Sequence, residues 1–332
     1  MKTIPSRFAA VSFFVILLIG CAQDRDTTDY RQRMRDFVIG ISAYAKDQDA
    51  GFIVIPQNGQ ELLTINGEEN GQPADAYLNA IDGVGREDLY YGYDEDNQAT
   101  SSEDIAYMRS FLDLAKAHGV EVLTTDYCST PLKMDDSYKK NSDNHYLSFA
   151  ADSRELDRIP EYPEAPYAAS NNDITSLHDA GNFLYLLNPD IAYTSKEDFL
   201  TALKNTTYDA FIIDAFFMDE PLTAADVAGL KTKPDGGTRL VICYMSIGEA
   251  EDYRFYWKAD WNRNAPDWLA GENPAWPGNY KVRYWEESWQ SIIYGGTGAY
   301  LDRILAAGFS GVYLDIIDAF EYFENDEKWW YP

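Results

Sequence analysis

Acidic side chains recur at the ends of short apolar runs in this sequence. Asp126 closes the run 120–126, Asp214 closes 210–214, and Asp315 closes 312–315 with Asp318 three residues on. Glu87 and Asp88 follow the run 80–85, and Glu249 and Glu251 follow 240–245. Carboxyls brought together in pairs can do acid–base or nucleophilic work, one holding a proton while its neighbour stays ionised. The same residue types also cap helices and pair in loops, and a chain with 55 Asp and Glu places some of them there by composition alone. Gln57 and Asn58 end a further run, 52–56, and offer amide donors and acceptors to hydroxyl or amino groups, or else simply turn the chain with Gly59.

Other chemistries have little to work with. Three His and three Cys occur, and none is spaced as a metal ligand beside another. The glycine pairs Gly83/Gly85 and Gly295/Gly296 lack the flanking pattern of a nucleotide loop. No cofactor is therefore expected. The formal charge is −28, from 27 Lys and Arg against 55 Asp and Glu, which argues against nucleic acid and against docking on anionic lipid. Aromatic residues make up 15% of the chain, so it folds rather than remaining a solvated acidic coil.

The elements that must position these acids read as a repeating α/β unit. Near-continuous apolar runs at 52–56, 80–85, 120–126, 183–188, 210–214, 240–245, 280–285 and 312–315 suit strands buried on both faces of a parallel sheet. Helical patterns at 101–118 (capped by Ser102), 196–204, 224–231 and 300–307 lie between several of them. Strand, loop and helix repeated about eight times predict a (β/α)8 TIM barrel in one domain, with a doubly wound open sheet as the alternative. The run 146–151 is a ninth strand candidate. The ends do not fit a barrel begun at its first strand. An amphipathic helix at 29–46 comes first, with Met34, Phe37, Val38, Ile41 and Tyr44 at helical spacing, and a strand at 311–317 comes last without a following helix. The first helix is expected to pack after the last strand and close the ring.

Residues 1–20 read as a secretory signal, with Lys2 and Arg7 before an apolar stretch at 9–19 too short to span a bilayer. Leu18-Ile19-Gly20-Cys21 resembles a bacterial lipobox, so Cys21 is the expected lipidation site. Residues 21–29 are then a tether and 30–332 the barrel domain. This implies a lipid-anchored protein of the bacterial cell envelope, periplasmic or on the cell surface. Cys128 and Cys243 end apolar runs and are expected in the core.

Several segments together resemble the glycoside hydrolase family 114 superfamily, the endo-α-1,4-polygalactosaminidases and their extracellular relatives. The resemblance is carried by 183–188, 208–215, the stretch from Cys243 to Arg254, 308–318, Pro56-Gln57-Asn58-Gly59 and 81–88. Members usually begin with the segment similar to 183–188, so the order here looks circularly permuted. The resemblance implies a (β/α)8 barrel that hydrolyses glycosidic bonds with two carboxyl groups. It makes Asp315 the nucleophile and Glu87 the acid/base, and it places Asp214, Tyr244, Glu251 and Asp126 in the sugar pocket. Asp318, Gln57 and Asn58 are further binding candidates. The aromatic stretch 253–289 is broken by Pro266, Pro274, Pro277, Gly271 and Gly278, so much of it is loop. Trp285 is the residue expected to stack on a sugar ring, the others packing the loop down. The expected function is endo-hydrolysis of an aminosugar-containing (polygalactosamine-like) or related polysaccharide by a monomer. The alternative is a glycan-binding lipoprotein that keeps the barrel without turnover.

Overall fold

The computed structural model describes residues 28–325. The signal-like residues 1–20, the candidate lipidation site Cys21 and most of the tether lie outside the described residues. Parallel strands run through the rest: β1 (Ile53–Pro56), β2 (Gly83–Glu87), β3 (Glu121–Tyr127), β4 (Leu147–Ala151), β5 (Leu184–Leu186), β6 (Ala210–Ile213), β7 (Leu240–Ser246) and β8 (Gly311–Asp315). They form two hydrogen-bonded sheets, in the orders β1–β8–β7–β6–β5 and β2–β3–β4, every neighbouring pair parallel. A parallel bridge from Gln57 to Gly85 links the end of β1 to β2, where Asn58 N donates to Gly85 O at 2.9 Å. Phe149 of β4 meets Phe183, just before β5, with ring centroids 6.0 Å apart. Each strand thus lies beside the next in the chain, and the last beside the first.

Continuous burial explains why these strands read as apolar runs: every residue of β1, β4, β5 and β6 is buried. One apolar cluster extends from Met34 to Phe323. The first helix, Tyr30–Gln48, is capped by Asp29, whose side chain accepts from Gln32 N. It buries Met34, Phe37, Val38, Ile41 and Ala45. On one flank its buried Arg35 donates to Leu62 O at 2.8 Å, in the segment after β1. On the other, Tyr44 donates to Asp302 Oδ1 at 2.7 Å, on the helix Tyr300–Ala307 that precedes β8. The helix therefore sits between the two ends of the strand series, where β8 pairs with β1 from Ile53↔Gly311 to Pro56↔Leu314.

Three expectations change. The segment 280–285 is not one of the parallel strands. Asn279–Val282 lies antiparallel between Glu249–Glu251 and Leu269–Glu272 in a small separate sheet, and with only Val282 of its four residues buried it lacks the two-sided burial of β4, which takes the eighth place. The helix after β2 is capped by Ser101 rather than Ser102; Ser101 Oγ accepts from Asp104 N at 3.1 Å. Finally, β8 ends at Asp315 and is followed by a short helix, Ala319–Glu324, that buries Ala319, Phe320 and Phe323. Its Glu324 pairs with Arg31 of the first helix at 2.9 Å.

Candidate active site

The C-terminal ends of the strands open into a cavity of about 550 Å³ lined by Gln57, Asn58, Glu87, Asp214, Tyr244, Glu251, Asp315 and Asp318. In a parallel α/β unit this end collects the loops that carry function.

Glu87 ends β2 and is held by three residues from two other chain segments. Gln57 Nε2 donates to its Oε2 at 2.5 Å and Asn58 Nδ2 to the same oxygen at 2.9 Å. Tyr127, the last residue of β3, donates to Oε1. Asn58 can do this because its backbone is left-handed, at φ 60°, a conformation Asn tolerates better than most residues; its Oδ1 in turn accepts from Glu87 N at 3.2 Å. Gln57 is itself fixed from below, its Oε1 accepting from Tyr185 OH of β5 at 2.9 Å. The Tyr185 ring meets that of Tyr313 edge-on at 5.2 Å. Tyr313 fills the interior beside Gly85, where a Cβ atom would stand 2.0 Å from its phenol oxygen.

Asp315 ends β8. Tyr244 of β7 donates to its Oδ2 at 2.6 Å. Burial, followed by the nearby charge of Glu87, pushes the Asp315 carboxyl up to about 7 against the opposing pull of the Tyr244 hydroxyl. Asp318, past the strand end, is likewise raised, to about 6, mainly by burial and with Glu87 contributing. Glu87, Asp315 and Asp318 thus form one interacting group of carboxyls around a common cavity.

Asp214 and Glu251 also face the cavity, but their charges are already matched. Arg254 bridges them, with Nη2 2.7 Å from Asp214 Oδ2 and Nε 2.6 Å from Glu251 Oε2. All three side chains are buried to at least 86%. Tyr253 donates to Glu251 Oε1 at 2.6 Å. The two carboxylates are therefore fixed hydrogen-bond acceptors at the cavity wall rather than free charges.

Two expected site residues lie elsewhere. Asp126 is fully buried behind β3, where it accepts from Tyr90 N at 2.7 Å, Tyr91 N at 3.2 Å, Ser137 Oγ at 2.6 Å and Asn141 Nδ2 at 3.1 Å. Its side chain points between the sheet and the helix Pro131–Asp143 and ties the 88–91 loop in place. Trp285 packs against Tyr30, Tyr284 and Phe323, with centroids at 5.1, 5.1 and 4.7 Å, because the chain before it turns back in the antiparallel hairpin. The aromatics that the loop does bring to the cavity are Tyr253 and Trp276, 57% and 58% exposed. Arg254, Tyr127 and Tyr185 were missed by sequence reasoning. The Glu251–Arg254 spacing of three was the available signal for the first; the two tyrosines carry none.

Residues 167–329 match the family model described as glycoside-hydrolase family GH114. Asp214, Tyr244, Glu251, Arg254, Asp315 and Asp318 fall inside that segment, whereas Gln57, Asn58, Glu87 and Tyr127 precede it. A Thermotoga maritima protein is 50% identical over 97 residues, 29% of this chain and 28% of its own length. One from Methanocaldococcus jannaschii is 54% identical over 88 residues, 26% and 24% of the two chains. A Deinococcus radiodurans protein is 40% identical over 126 residues, 38% of each. The matched portions span between 24% and 38% of these relatives, all of which carry the name uncharacterized protein. Residues 167–329 of this chain are thus similar to glycoside-hydrolase family GH114.

Proposed function

We propose that the chain hydrolyses glycosidic bonds within an aminosugar-containing, polygalactosamine-like polysaccharide, with Asp315 and Glu87 as the working carboxyl pair. The observation that carries this reading is the pair itself. Two carboxyls from strands β8 and β2 line one cavity, and the Glu87 charge adds to the burial that raises Asp315, the equipment that glycoside hydrolysis requires. The acidic cavity favours a cationic or neutral sugar over an anionic one.

In the division of labour that the resemblance implies, Asp315 attacks the anomeric carbon while Glu87 gives a proton to the departing oxygen. Glu87 then takes a proton from water, which attacks the same carbon and frees Asp315. A specific observation favours the opposite division. Both Glu87 oxygens accept hydrogen bonds from neutral donors, the pattern of an ionised carboxylate, whereas Asp315 is raised to about 7 and so holds its proton through mildly acidic pH. On this second reading Asp315 is the acid and Glu87 the nucleophile or base.

We read the two sheets as a single (β/α)8 barrel in circularly permuted order. The β8–β1 pairing and a family match confined to 167–329 both support this. The lipobox-like stretch ending at Cys21 supports anchoring in the cell envelope; Cys21→Ser should move the protein from the membrane to the soluble fraction, and unchanged retention would refute the anchor. The hydrolase reading is tested by incubating the soluble domain with partly N-deacetylated α-1,4-galactosaminoglycan, chitosan and neutral glycans and measuring new reducing ends. Release from the first is expected, and no release from any of them overturns the reading.

A further inference from the structure

Next to the main cavity lies a second one of about 300 Å³, lined in part by Glu61, Asp104, Tyr107, Tyr93 and Glu321. Asn58, Glu87 and Asp318 line both. Glu87 therefore stands between two hollows rather than at the back of one. The main hollow carries exposed Tyr253 and Trp276. The second carries Tyr93, 48% exposed on the loop after β2, a ring that covers no core and faces a polar hollow.

The side chains around the second hollow are for the most part already fixed. Tyr107 donates to Glu61 Oε1 at 2.7 Å, Ser101 donates to Asp104 Oδ2 at 2.6 Å, and Arg154 pairs with Asp88 at 2.8 Å. Arg86 donates to Gln60 Oε1 at 3.2 Å. Glu321 is raised to about 7, first by burial and then by Asp318, and Glu61, Glu87, Asp88, Asp104, Asp318 and Glu321 all line the hollow. A wall of preorganised acceptors beside one open aromatic face suits a ring that donates hydrogen bonds and presents a flat C–H face. A uronic acid would be repelled.

We propose that the second hollow is a further sugar-binding arm of the same cleft, with Tyr93 as its stacking platform, so that the glycan runs across Glu87 and occupies both arms. The ligand class is a neutral or amine-bearing sugar ring, one unit of the polymer beyond those held in the main hollow. This rests on the glycan reading above, and places Tyr93 as a specificity-determining residue for chain length.

The test is binding, measured in an Asp315→Asn background so that turnover cannot intervene. De-N-acetylated α-1,4-galactosamine oligomers of two to eight units serve as probes, with oligogalacturonates of the same lengths as the anionic control. Affinity should climb with length until both arms are filled. Tyr93→Ala should lose about tenfold on the long oligomers and much less on the dimer, while Tyr93→Phe, which keeps the ring, should bind as its parent does. The galacturonates should not bind. A Tyr93→Ala protein of unchanged melting temperature that binds long oligomers like its parent would overturn the arm, as would affinity that stops rising at the dimer. Failure of wild-type turnover with length-dependent binding retained would overturn the hydrolase reading alone.

Discussion

Tyr244 and Asp315 sit on adjacent parallel strands, and the tyrosine hydroxyl donates across the β7–β8 boundary to Asp315 Oδ2 at 2.6 Å. The ladder sets this up: Asp315 is in register with Ser246, two residues beyond Tyr244, so both side chains project into the same layer. A neutral donor on a buried carboxyl favours its ionised form and opposes the burial that lifts it.

Removing that donor should therefore raise Asp315 further. In Tyr244→Phe the carboxyl is expected to bind its proton on the order of tenfold more tightly than in the parent, where it titrates near 7. The pH dependence of kcat/KM reads the direction of use as well. If the ionised Asp315 is needed, the acidic limb moves to higher pH; if the protonated form is needed, the alkaline limb does. A profile that does not move at either limb would mean that Asp315 is not part of the chemistry.

Asp315→Asn and Glu87→Gln should each lower turnover, by about 10²–10⁴-fold for whichever residue is the acid and by more for the nucleophile. An aryl glycoside with an activated leaving group needs little protonation at the departing oxygen. It should rescue the first step of the acid variant and leave the nucleophile variant inactive. Rescue of Glu87→Gln supports the division implied by the resemblance, and rescue of Asp315→Asn supports the reverse. Wild-type activity in both variants would remove the pair from consideration.

Arg254 is the shared cation of two buried carboxylates. Arg254→Met leaves both without a counter-charge, and the fold should lose about 3–5 kcal/mol in urea unfolding followed by tryptophan fluorescence. Adding Glu251→Gln should restore part of the loss, because one orphaned charge is then gone. A loss under about 1 kcal/mol would show that the carboxylates find other partners.

Asp126 provides the converse case. Its four donors come from the 88–91 loop and the helix behind β3, and burial raises its carboxyl despite them. Asp126→Ala should cost about 2–4 kcal/mol of stability while kcat/KM per folded molecule stays within about twofold. A selective rise in KM with stability intact would return Asp126 to the sugar pocket.

The contrast between Asp315 and Asp126 indicates what a sequence of this kind can disclose. Both end apolar runs, and spacing alone does not tell a carboxyl that points over the strand end from one that turns back under the neighbouring helix. Runs buried on two faces announced most of the strands, since uninterrupted apolarity has few other uses. The segments 146–151 and 280–285 were harder to separate, because a half-exposed hairpin strand rich in aromatics imitates a buried one. Trp285 packs inward for the same reason: the loop's composition is visible in the sequence, but the direction in which it folds is a tertiary property. The cradle around Glu87 draws on residues 57, 58 and 127, brought together by neighbouring strands, and no local pattern contains it.

Gly85 gives this arrangement a hidden dependency. It touches no candidate substrate group, yet any side chain there would have to displace the Tyr313 phenol, whose oxygen lies 2.0 Å from the position of a Cβ. Tyr313 leans on Tyr185, and Tyr185 fixes the Gln57 amide that holds Glu87. A single methyl at residue 85 would thus reach Glu87 through four consecutive contacts. The floor of the cleft is accordingly a poor place to alter what the protein accepts. Its rim, where Tyr93 and Trp276 stand in solvent, can vary without transmitting strain to the carboxyls beneath.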